Sequence, residues 1–305
     1  MHPADPAPLS IPPRHAAAPR HPLLSGAAKQ ARLLSIYYCL SIWVLLSAIN
    51  LRAQPVDLPA WLKAIETLDR SILQPGAKPP AGLPAALGPK LPAMSGQARV
   101  LAARTLAKVD SPDSAVLLLV LAQDSDSSVA AAAVNGLLAI PASPPPADVL
   151  RAIPATPSPP LRAHLFLIAG KANAELSALR KLLAAESNPN VRPSALAATV
   201  RLGGVPERAA LAAEVANAKG PAVATVLDLL VFANDKRMAF ALLPLFGSTQ
   251  PVKRLTADPV SRVATRSDLA VWTAHRLGLL NQLKLTKLDN FDAATVSKAR
   301  AACSP

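Results

Sequence analysis

Apolar positions along the chain follow three regimes. The first is unbroken: from Leu33 to Ile49 seventeen residues pass without a charge. The second is periodic. Trp61, Leu62, Ile65, Leu68 and Leu73 recur at helical spacing behind Pro59, which suits a first turn and predicts a helix over 59–73. Further on the spacing becomes a repeat, with helical segments starting at Ala98, Val129, Leu161, Val191 and Pro221, at intervals of 31, 32, 30 and 30 residues. The first, fifth, sixth and twelfth positions of these segments are mostly apolar or small, which places them on one helix face. Between them the pattern predicts partner helices over 113–123, 147–153, 174–186, 206–218 and 236–246. The third regime is punctuation. Pro75, Pro79, Pro80, Pro84, Pro89 and Pro92 predict a linker over 75–95, and eight prolines within 141–160 predict a shortened helix.

After Ser248 the period is lost. A longer helix is expected over 260–280, carrying Trp272 and His275. A short strand or extended tail over 283–288 and a final helix over 291–302 follow. A helix pair returning at fixed period predicts an all-α chain, an α-α solenoid whose units bury their apolar faces only against one another. The expected plan is a leader through residue 53, a helix over 54–74, the linker, repeats over 96–247 and degenerate capping helices over 248–305.

Composition agrees with helices. The chain is 51% apolar but only 3% aromatic, so its core is built from Ala, Leu and Val, which favour closely packed helices over strands. The formal charge of +13 changes the picture little. Without residues 1–53 it falls to +9, 27 basic residues against 18 acidic ones, and net charge by itself does not choose among nucleic acid, anionic lipid, acidic protein and plain solubility. The unbroken segment is more informative. Lys29 and Arg32 precede residues 33–49 and Leu51-Arg52-Ala53 follows, the pattern of an export signal. Three readings stand: a cleaved signal, an uncleaved anchor giving membrane attachment through residues 33–49, or a buried helix of a cytosolic protein. The first two put the body in the periplasm or outside the cell. Cys39 and Cys303 are the two cysteines, and loss of the leader leaves one, too few for an intrachain disulfide or a cysteine metal site.

Asp124-Ser125-Asp126-Ser127-Ser128-Val129 and Asn188-Pro189-Asn190-Val191-Arg192 resemble the turn and second-helix start of HEAT-like repeats of the short, phycobilisome-lyase-like kind. Arg99, Arg162 and Arg192 match the arginine position of that pattern, whereas Ala130 and Ala222 depart from it. The resemblance covers about half the chain and implies the solenoid fold. Its relatives include scaffolds, lyases, chaperones and proteins that clasp DNA.

No Gly-rich phosphate loop, zinc-protease helix or nucleophile elbow occurs in the sequence, no catalytic residue is assigned and no cofactor or metal is expected. The candidate partner-binding residues are Arg99, Arg162, His164 and Arg192, on or beside one ridge of helices. A second basic column, Lys108, Lys171 and Arg201, lies nine residues later, about two and a half turns on, and so faces the opposite side and cannot continue the first as one stripe. The first column is expected either to pair with turn carboxylates such as Asp110, Asp124 or Asp126, or to bind an anion. Asp268, Trp272, His275 and Arg276 share helical spacing as a candidate patch, or as the finish of the cap. The expected function is an exported, non-enzymatic scaffold for a protein partner. A nucleic-acid or polyanion binder is disfavoured by the export segment and by the scarcity of aromatic residues for stacking. A lyase- or chaperone-like protein is the third reading.

Overall fold

The computed structural model describes residues 57–254 and 263–304, so the apolar run over 33–49, expected to be an export signal or an anchor, lies outside the described residues. The described chain is all-α apart from one two-stranded ribbon. It opens with α1 (Leu58–Glu66), a 3-10 turn over Arg70–Leu73, the short α2 (Leu83–Leu87) and a second 3-10 turn over Gly88–Ala93. The regular series follows: α3 (Gly96–Leu106), α4 (Pro112–Leu121), α5 (Ser127–Ala139), α6 (Pro146–Ala155), α7 (Pro159–Lys171), α8 (Leu176–Ala185), α9 (Arg192–Arg201), α10 (Pro206–Asn217) and α11 (Ala222–Ala233). A 3-10 segment over Lys236–Leu245, strands β1 (Pro251–Arg254) and β2 (Val263–Thr265), α12 (Arg266–Arg276) and α13 (Ala293–Cys303) complete it. Among the described residues no helix is long and apolar enough to cross a membrane.

Local chemistry sets the helix starts. Ser95, Ser111, Asp126 and Asp292 each accept a backbone N–H of the first turn of α3, α4, α5 and α13. Thr265 and Asp268 form a reciprocal capping box on α12. Proline occupies the first turn of α4, α6, α7, α9 and α10, where a missing N–H leaves nothing unpaired.

The odd-numbered helices pack in series, α3 on α5, α5 on α7, α7 on α9 and α9 on α11, and α12 packs on the last of them. Each even-numbered helix from α4 to α10 packs against the odd helix that follows it. The seams hold residues the periodicity selected, with Ala102, Val129, Leu165, Val191 and Val226 all buried. Alanine and glycine let the backbones close in. A β-carbon on Gly170 of α7 would lie 3.0 Å from both the Cα and the Cβ of Ala198 on α9.

Three sequence expectations are revised, and between the two readings of residues 283–288 the tail holds. Residues 75–95 are not a bare linker: Leu83, Leu87 and Leu91 are buried, and Pro84 and Pro89 sit in the first turns of their helices rather than breaking them. The segment over Lys236–Leu245 is 3-10 and contains Pro244, which has no N–H to give. The helix expected over 260–280 is confined to α12, because Thr265 caps it and Val263–Thr265 pairs antiparallel with β1. Residues 283–288 form no strand; Leu283, Leu285 and Leu288 lie against the core as a tail.

Candidate functional site

The two basic columns meet opposite ends of the odd-numbered helices and serve different acceptors. At the N-terminal ends, Arg99 donates from Nε and Nη2 to the two carboxylate oxygens of Asp124 at 2.7 and 3.1 Å, and from Nη1 to the Met94 carbonyl at 2.7 Å. Arg162 repeats the arrangement on Glu186 at 2.9 and 3.2 Å, with Nη1 on the Thr156 and Pro157 carbonyls at 3.1 and 2.9 Å. Each acid also accepts the backbone N–H two residues on, from Asp126 and Asn188, which fixes the turn. Arg99 therefore meets one of the turn carboxylates named from the sequence, and Arg162 meets one that was not.

These fork-to-fork pairs are mostly shielded, with side-chain exposures of 21% and 12% for Arg99 and Asp124 and of 19% and 7% for Arg162 and Glu186. Burial is the largest single influence on Asp124 and raises its pKa, but the Arg99 hydrogen bonds, the Asp126 N–H and the Arg99 charge together outweigh it, and the carboxyl lies below its ordinary value. Glu186 is depressed first by its Arg162 hydrogen bonds. Arg192 occupies the same column but is exposed and has no ion-pair or hydrogen-bond partner among the described residues.

Further pairs lie on the even helices. Arg180 of α8 grips Glu207 of α10 at 2.7 and 3.0 Å, and Arg208 of α10 reaches Asp235 at 2.6 Å. In all four pairs the acid follows its arginine by 24 to 27 residues. A search for that offset finds Glu186, Glu207 and Asp235, which helix spacing alone misses.

At the other ends of the odd helices, cations close carbonyls left open by helix termination. Lys108 donates to Ile72 and Gln74 carbonyls at 3.2 and 3.0 Å. Lys171 donates to Leu137 at 2.8 Å and also to Ile140, at the end of α5. Burial lowers the pKa of both ammonium groups. Arg201 reaches forward to the Phe232 carbonyl at 2.7 Å and lies 4.9 Å from the centre of its ring. Arg266 donates to Ala218, the last residue of α10's cap, at 2.7 Å.

His164 stands half-buried on α7, its Nδ1 buried without a partner, and burial lowers its pKa. The four-residue patch on α12 divides. Trp272 and His275 touch, ring centres 5.5 Å apart, and Arg276 pairs with Asp228 of α11. Asp268 is buried and engaged elsewhere, accepting from Thr265 N and Oγ1 at 2.8 and 2.7 Å, Asn290 Nδ2 at 3.1 Å and Phe291 N at 2.9 Å.

Asp268 lies at the wall of an open pocket of about 550 Å³ between α12 and α13, with Ser267, Asn290, Phe291, Ser297 and Arg300 around it. A smaller cleft of about 160 Å³, between the turn after α1 and the flank of α3, is lined by Leu68, Leu73 and Val100 and edged by Arg70 and Arg104. Among the described residues no three His, Cys, Asp or Glu side chains gather as a metal site. Burial pushes the Cys303 thiol up to about 11, so it stays protonated and inert at neutral pH. Comparison with protein-family models, curated proteins and solved structures finds no match to this chain.

Proposed function

We propose that this chain is an exported, non-catalytic α-solenoid of short HEAT-like units that holds a protein partner on the ridge formed by its odd-numbered helices. The observation that supports the reading is the serial packing of α3, α5, α7, α9 and α11, sutured at both ends by side chains that cross from unit to unit. Such a series offers a long surface with fixed spacing, which suits recognition of another macromolecule. Within the ridge Arg99 and Arg162 act as sutures, and Arg192 with His164 beside it forms the contact surface. Export through residues 33–49 places the interaction in the periplasm or outside the cell.

The test is a photo-crosslinking residue placed at position 192 or 164, compared with position 120 or 181 on the even helices, in cells that make the protein. The expected result is one protein adduct of defined mass from the ridge positions alone, recovered from the non-cytoplasmic fraction. Equal labelling at all four positions, or a cytosolic protein with an intact N-terminus, overturns the reading.

A polyanion-binding solenoid is the second reading, supported by one observation: Asp124, Glu186, Glu207 and Asp235 are committed to arginines, whereas Arg70, Arg104 and Arg192 have no partner among the described residues. Retention on DNA that falls steeply with salt and survives in the ridge variants would favour it.

A further inference from the structure

Five helices of the described chain end through a residue in the left-handed region: Leu68 after α1, Asn173 after α7, Gly203 after α9, Asn234 after α11 and Gly278 after α12. Four of these residues are glycine or asparagine, the types that tolerate the conformation. The fifth is a leucine at φ 60°, where its Cβ crowds the following carbonyl. Two backbone bonds hold the turn, Leu68 N–H to Ile65 O at 3.2 Å and Asp69 N–H to Ala64 O at 2.8 Å. A glycine would make the same two bonds without strain, so the turn alone does not account for the leucine. Nor does burial, since Leu68 is 37% exposed.

Its side chain does line the small cleft, opposite Leu73 and Val100 and above the buried Leu101. Arg70 and Arg104 stand at the cleft's edge, both exposed and neither with an ion-pair or hydrogen-bond partner among the described residues. Nearby acids are engaged: Glu66 pairs with Lys90 at 2.8 Å, and Asp69 accepts the Ser71 N–H at 2.9 Å. An apolar slot for one side chain, rimmed by two uncompensated guanidinium groups, is complementary to an aliphatic or aromatic residue flanked by carboxylates. We propose that this cleft docks an acidic-apolar segment of the protein partner, a Leu- or Phe-type anchor between Asp or Glu residues. The inference rests on the scaffold reading and adds to it a second contact, at the N-terminal end of the stack.

The probe is a short fluorescein-labelled peptide with one Leu flanked by Glu in a Gly/Ser background, titrated into the full-length protein and followed by anisotropy. Two control peptides carry Ser for the Leu, or Lys for the Glu. The expected result is binding of the Glu/Leu peptide alone. Leu68→Gly weakens it about fivefold or more, as removal of a pocket wall does, while leaving the melting temperature unchanged or raised because glycine accepts the backbone. The double variant R70E/R104E loses the Glu/Leu peptide and binds the Lys/Leu one. Failure of the wild type to bind, equal binding of the control peptides, or variants that bind like the wild type overturns the cleft assignment. In each case the ridge crosslinks report separately: if they persist the scaffold reading stands without the cleft, and if they fail while the peptide binds the ridge is wrong and the cleft remains.

Discussion

The stack changes how it is sutured at the α7–α9 junction. Ahead of it, Arg99 and Arg162 at the heads of α3 and α7 grip the acid in the next inter-helix turn. At α9 the same column holds Arg192, but the following turn, Asn217-Ala218-Lys219-Gly220, carries no carboxylate. The suture moves to the even helices, where Arg180–Glu207 and Arg208–Asp235 tie α8 to α10 and α10 to the segment after α11. One column of arginines thus has two roles. Where an acid follows about 25 residues later the arginine is structural, and where it does not the arginine is free to meet another molecule.

Four substitutions or conditions break or sharpen that contrast. The largest effect is expected at the junction itself. Gly170→Val places side-chain atoms against the Ala198 backbone, where even a Cβ would sit at 3.0 Å, and should lower the melting temperature by about 5–10 °C. A loss under 2 °C would mean that α7 and α9 shift apart at little cost. Next comes Glu186→Gln, which leaves the shielded Arg162 without its anion and should lower the melting temperature by about 3–6 °C. If Glu186→Gln melts like the wild type, the front sutures are ornamental.

The third contrast is in pH. The carboxyl pKa values of Asp124, Glu186, Glu207 and Asp235 are depressed in the folded chain, so their stabilisation is complete above the unfolded-state range, roughly pH 4 to 4.5, and is lost as pH falls through the folded values. Glu186→Gln should shallow the acid limb of a melting-temperature profile, and Arg192→Ala should leave it unchanged. A steeper limb in Glu186→Gln reverses the assigned sign. The smallest effect on stability belongs to Arg192→Glu, within about 1–2 °C of wild type, yet it should abolish the ridge crosslink at position 164. A collapsed melt in that variant makes Arg192 a structural residue after all.

Much of this was legible before any coordinates. The thirty-residue period located α3, α5, α7, α9 and α11 because apolar spacing on one face is a local property. Asp124 was foreseeable as a partner of Arg99 because acid and turn lie together in the resemblance to HEAT-like units. The pairing of Arg162 with Glu186 was less visible, since Glu186 ends a helix rather than standing in an Asp-rich turn. Lys108 and Lys171 were visible only as a second column of cations without a role, and packing reveals that each faces a neighbour's open carbonyls. Residues 75–95 were misread because proline both ends and begins helices, and the choice there was made by burial of Leu83, Leu87 and Leu91. Asp268 meets Asn290 and Phe291 across 22 and 23 residues with no periodic signal to announce it.

The carbonyls at the end of α5 are closed by Lys171, and those of Ile72 and Gln74 by Lys108, a side chain made later in each case than the helix end it finishes. Arg266 does the same for α10. A ribosome delivering this chain from its N-terminus would leave each of these termini frayed until the next hairpin has left the exit tunnel.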